Sequence, residues 1–137
     1  MSTLQINLDK PQNISVIINY ILSKFHIPYS LISPLELSVE EFFHTVKNYC
    51  EYVNFSVELK ESVLILYFKV DRIHCHTAND LNNTLKSNII LNSLVDNLYI
   101  DGDSFALSYS FSYLNKTIYY DRASMVKDYL NQVALRI

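Results

Sequence analysis

The stretch Ser104-Phe105-Ala106-Leu107-Ser108-Tyr109-Ser110-Phe111-Ser112-Tyr113 decides the fold class, because every second residue in it is large and apolar or aromatic. A period of two belongs to a β-strand, whose successive side chains point to opposite faces, and it is incompatible with one face of a helix. One face carries Phe105, Leu107, Tyr109, Phe111 and Tyr113; the other carries Ala106, Ser108, Ser110 and Ser112. Immediately before it stands Asp101-Gly102-Asp103, which contains the only glycine of the chain. Glycine supplies the left-handed backbone a tight hairpin needs, so Leu98 to Ile100 is read as the partner strand.

Further upstream the same alternation returns. Val53, Phe55, Val57 and Leu59 alternate with polar residues, Lys60-Glu61-Ser62 reads as a turn, and Val63 to Val70 is a mostly apolar run, which together predict a second antiparallel pair. Outside these strands the period changes to that of helices. Asp9 and Gln12 have capping-box spacing before a stripe of Ile14, Ile17, Ile18, Ile21, Leu22 and Phe25, which Pro28 terminates. A second such box, Ser38 to Glu41, is expected to open a helix carrying Phe42, Phe43, Val46, Tyr49, Cys50 and Val53, with an extended segment before it from Tyr29 to Leu37. Thr77 and Asp80 mark a third helix with Leu81, Leu85, Ile89 and Leu94 turned inward, and Asp121 a last one presenting Met125, Val126, Tyr129, Leu130, Val133 and Ile137. The predicted fold is a single α+β domain over residues 1–137, an antiparallel sheet backed by helices in the order α-α-β-β-α-β-β-α.

Composition narrows the function. Half of the 137 residues are apolar and 18% are charged, the balance of a chain that buries a core. The net charge of −3 is small, and Lys and Arg are spread singly, so no basic stripe exists to neutralise phosphates and nucleic acid is not an expected partner. The longest apolar run, Val63 to Phe68, is far shorter than the about 20 residues of a membrane span, and Met1 to Lys10 lacks a signal-peptide pattern. A cytoplasmic protein with no membrane partner is expected, in which Cys50 and Cys75 are thiols and the sequons at Asn13, Asn54, Asn82 and Asn115 carry no sugar.

No catalytic residue is nominated. His74-Cys75-His76 would aim two imidazoles at one face of a strand, yet no further ligand stands at metal-binding spacing, and the segment reads as a strand end with exposed histidines. His44 and Cys50 lie six residues apart and fall on different faces of one helix, so Cys50 reads as an inert core thiol. Asp101-Gly102-Asp103 is too short for a calcium loop, and the lack of glycine-rich segments removes the familiar phosphate cradles. Glu40-Glu41 is read as a pair of acids favouring the positive end of a helix. The expectation is a protein that is not an enzyme and holds neither cofactor nor metal.

The helix from Leu81, the short strand ending in Asp101-Gly102-Asp103, the long strand Phe105 to Tyr113 and the closing helix from Asp121 together resemble the YbjN family and the related type III secretion chaperones. The first helix with Pro28-Tyr29, and the strand Val63 to Val70 before a middle helix, extend the likeness to about two thirds of the chain. The same element order is similar to the roadblock fold over Ser38 to Ile137, if Thr117 to Tyr120 is a strand. Both resemblances imply a small, acidic, non-catalytic and usually dimeric protein whose work is protein binding. A secretion-chaperone-like or adaptor module that holds a client polypeptide is therefore expected, the alternatives being a toxin-neutralising or immunity protein that binds one folded partner, a roadblock-like regulatory dimer, and a small-molecule sensor.

The surface for that binding is suggested by what the long strand lacks. From Ser104 to Asn115 there is no charged residue, although exposed strands are normally protected from edge pairing by Lys, Pro or a bulge. Ala106, Ser108, Ser110 and Ser112 are small and uncharged, would let a second backbone approach closely, and are the candidate interface of a homodimer or tight hetero-complex.

Overall fold

In the computed structural model, which describes residues 3–70, 78–111 and 124–131, the chain forms one five-stranded antiparallel sheet with helices on it. Among the described residues the elements run in the order β1 Leu4–Asn7, α1 Asn13–Lys24, α2 Tyr29–Val46, β2 Tyr52–Lys60, β3 Val63–Val70, α3 Ala78–Lys86, α4 Ile89–Leu94, β4 Asn97–Asp101 and β5 Ser104–Ser110. Residues 124–131 are helical as well. The strand order across the sheet is β1-β2-β3-β5-β4, so the long alternating strand β5 lies inside the sheet, hydrogen-bonded to β3 on one side and β4 on the other.

Both predicted hairpins form. Lys60 pairs with Val63, leaving Glu61 and Ser62 as a two-residue loop, and Asp101 pairs with Ser104 across Gly102 and Asp103. The loops solve the same problem at different cost. Gly102 takes its φ of 63° freely, whereas Glu61 holds a φ of 54° despite its Cβ.

One sheet face packs on the helices. Ile6 of β1, Phe55 of β2, Leu66 and Phe68 of β3, and Phe105 and Leu107 of β5 belong to a single buried cluster with Ile17 and Ile21 of α1, Leu35, Val39 and Phe42 of α2, and Leu81 and Leu85 of α3. Phe42 is its hub, with ring centroids 4.7 Å from Phe68 and 5.8 Å from Phe105. Contacts of this kind add to the area term and fix the angle at which α2 lies on the sheet.

Several local expectations are corrected. Leu4 to Asn7, with only two apolar residues, carries too short an alternation to be legible, yet it pairs with β2 as an edge strand. The capping box at Asp9 and Gln12 does not form: α1 begins at Asn13 behind Gln12, which makes no side-chain cap, and the Asp9 amide donates to the Asn7 side chain. Tyr29 to Leu37 is helical, not extended, because Leu31, Leu35, Val39, Phe42, Phe43 and Val46 form one continuous stripe that buries well enough to offset the hydrogen bond lost at Pro34. Ser38 is consequently mid-helix and fully buried, and Glu40-Glu41 does not sit at a helix start. The helix stops at Val46, so Cys50 follows it and Val53 belongs to β2.

The third predicted helix is two. Asn88 interrupts it and caps α4 by accepting the Leu91 amide at 2.9 Å, which turns Leu91 and Leu94 inward and leaves Ile89 exposed instead of buried. In the last helical stretch Val126 is buried as expected, but Met125, Tyr129 and Leu130 are exposed. Ser112, Tyr113, Asp121, Val133, Ile137 and the segment His74-Cys75-His76 lie outside the described residues.

Candidate interaction surface

The second face of the sheet is built from the residues the core leaves over. On β3 these are Val63, Ile65, Tyr67 and Lys69; on β5, Ser104, Ala106, Ser108 and Ser110; on β4, Asn97, Tyr99 and Asp101. The register arranges them in rows across the three strands: Lys69–Ser104–Asp101, then Tyr67–Ala106–Tyr99, then Ile65–Ser108–Asn97. Ala106 is thus the low centre of a row with a tyrosine at each end. A trough of about 780 Å³ runs over this region and is lined by Ser56, Tyr67, Lys69, Tyr99, Asp101 and Ala106 among others.

The tyrosines are held differently. Tyr67 donates its hydroxyl to Glu58 Oε2 at 3.0 Å, and Lys60 Nζ lies 3.2 Å from Glu58 Oε1. The hydrogen bond from Tyr67, and after it Lys60, hold the Glu58 carboxyl below the usual carboxylate range; partial burial, and then that same carboxylate, push the Tyr67 phenol up. Tyr99 is 56% exposed on the edge strand β4. Lys69 and Asp101 at the two ends of the first row are exposed and have no ion-pair partner among the described residues.

The candidate interface residues are placed as follows. Ala106 and Ser110 are half-buried on the open face, whereas Ser108 is only 4% exposed between Ile65 and Asn97. The Ser110 amide donates to the Asp96 carboxylate, and the Asp96 amide to the Ser108 carbonyl, closing the β4–β5 ladder. With both edges of β5 paired, the missing charge on that strand needs no partner to cover a strand edge; what stays open is a face. Tyr67, Lys69, Tyr99 and Asp101 were not singled out from sequence, although the same period of two that selected Ala106 places them on its face.

On the covered face Ser38 and Tyr109 form a polar pair, hydroxyl to hydroxyl, with Ser38 also donating to the Leu35 carbonyl at 3.0 Å. Both are fully buried, and burial pushes the Tyr109 phenol well above its usual range. It is a structural tie between α2 and β5. Glu41 likewise ties α2 to α4, accepting from Asn88 Nδ2 at 3.0 Å. Cys50 is buried with its thiol against the Val46 carbonyl, and His44 is exposed, so the two do not form a pair. Among the described residues no group of three His, Cys, Asp or Glu side chains is arranged to hold a metal, and no helix is long and apolar enough to cross a membrane.

Comparison with known proteins adds no relative: no family model matches the chain, and no curated protein matches it significantly.

Proposed function

We propose that this protein is a non-enzymatic protein-interaction module, a small adaptor or secretion-chaperone-like protein of the kind the YbjN resemblance implies, whose working surface is the open face of the sheet. One observation carries the reading: the trough on the open face, whose lining includes Tyr67, Ala106 and Tyr99, one row in which a small residue of an uncharged strand stands between two tyrosines. Tyrosines give large contact area at low conformational cost, and a floor of small side chains lets a partner backbone approach. The charges stand at the rim, where they orient a partner more than they hold it.

Affinity purification of the tagged protein from its native cells tests this, with two variants alongside. Ala106→Arg fills the trough, and Leu22→Arg alters an exposed position on α1. A partner kept by the Leu22 variant and lost by the Ala106 variant, with unchanged circular dichroism for both, is the expected result. Full retention by Ala106→Arg would remove the open face from consideration.

A further inference from the structure

We infer that the open face pairs with a second copy of the same chain, about a two-fold axis that runs along β5. The inference rests on the interaction reading above and names the partner. Its basis is the composition of the rows on either side of β5. A two-fold axis lying in the contact plane along β5 exchanges β3 with β4, so each row is laid on its own reverse. In the first row, Lys69 of one copy then faces Asp101 of the other, and the reverse pair forms at the symmetry-related position. In the second row Tyr67 faces Tyr99, again twice, and in the third Ile65 faces Asn97.

The axis runs over Ser104, Ala106, Ser108 and Ser110; Ser108, only 4% exposed, lies below the contact, and the other three stand opposite their own copies. Self-contact at a two-fold axis places identical side chains together, so charged or long residues there repel or clash, and small uncharged ones do not. All four are small and uncharged, while the row ends are a cation against an anion and a ring against a ring. The neighbouring choice of axis, along β3, fails the same test because Lys69 would face Lys69. Lys69 and Asp101 have no ion-pair partner among the described residues, so the pairing breaks no ion pair already made.

The overlap is limited to β3, β5 and β4, because β1 and β2 of each copy project past the partner's β4. Three strands at about 4.8 Å spacing and seven residues at about 3.4 Å give a contact of roughly 14 by 24 Å in projection. That is below the standard size for a permanent interface, and the dimer is accordingly weak, forming and dissociating in the micromolar range.

Sedimentation velocity across micromolar to sub-millimolar protein, with two charge variants, tests the geometry. Lys69→Glu sets two acidic pairs face to face, and Asp101→Lys sets two basic pairs face to face; each variant alone is expected to self-associate about tenfold more weakly than the original chain, or worse. Mixed in equal amounts, they are expected to associate as well as the original, since every facing pair is again of opposite sign. Both positions are exposed, so neither substitution threatens the fold. An original chain that is monomeric throughout, single variants that associate normally, or a mixture that associates no better than its components would each overturn the inference. If these fail while Ala106→Arg still abolishes capture of the cellular partner, the interaction reading stands and only the second-copy assignment falls. If Ala106→Arg alters neither capture nor self-association, the interaction reading falls with it.

Discussion

The two faces of the sheet are made by the same five strands and differ in almost every other respect. On the covered face the positions of β2, β3 and β5 from Val53 to Tyr109 are aliphatic or aromatic and nearly inaccessible, and they touch α1 and α2 through ring and methyl contacts. On the open face the same strands present Asn54, Ser56 and Glu58, then Ile65, Tyr67 and Lys69, then serines and an alanine. A strand must satisfy its covered face to fold, and the covered face fixes its register, because a slip of one residue would exchange the two sets. The open face is free of that constraint. Its cation, anion, rings and small residues are the ones the proposed contact uses.

The sharpest break of the comparison is a cavity on the covered side. Phe42→Ala removes the hub ring between Phe68 and Phe105 and is expected to cost about 3–5 kcal/mol in denaturant unfolding. Ser38→Ala removes the hydroxyl that Tyr109 meets on α2 and should cost about 1 kcal/mol, and the double variant with Tyr109→Phe should cost less than the sum of the two single changes, since both remove the same hydrogen bond.

The same tyrosine gives the protein an alkaline limit. Its phenol ionises in the unfolded chain near pH 10 but only at higher pH in the folded one, so stability is full below pH about 10 and falls as pH rises beyond it. In Tyr109→Phe the fall above that pH should be shallower, as melting curves from neutral to alkaline pH will read. On the open face, by contrast, Ala106→Arg should change unfolding by less than about 0.5 kcal/mol while altering association, which separates the two faces in a single variant. The smallest effect belongs to the hairpin loops: Gly102→Ala should destabilise by about 1 kcal/mol, and Glu61→Gly, which relieves the positive φ, should stabilise by a fraction of that.

How far the sequence could be read follows the same division. Phe105 to Phe111 and Val53 to Val70 were legible because alternation and turn chemistry agree there, and the antiparallel α+β architecture followed from them. Ser38 misled because a serine three residues before a glutamate has the spacing of a capping box whether it stands at a helix start or, as here, fills a buried site opposite Tyr109. Pro34 misled in the same direction; a local penalty was outweighed by a stripe whose burial only the assembled sheet supplies. Asn88 went unread because a cap inside an apolar helical pattern leaves the period almost intact while rotating Ile89 out to solvent.

The open face was legible in half. The absence of charge on β5 drew attention to Ala106, Ser108 and Ser110, but the order β3-β5-β4, which brings Lys69 and Asp101 to opposite ends of one row, is a non-local pairing that no window of sequence contains.

The most direct test of a self-pairing open face is the reactivity of Tyr99 as protein concentration rises. Acetylation of exposed tyrosines by N-acetylimidazole, mapped by mass spectrometry, has internal controls in Tyr29, 89% exposed at the start of α2, and Tyr129, exposed to the same 56% as Tyr99 but on a helix. Tyr99 is expected to become protected between low micromolar and sub-millimolar protein while Tyr29 and Tyr129 keep their reactivity. Tyr99 reacting equally at every concentration would contradict the account.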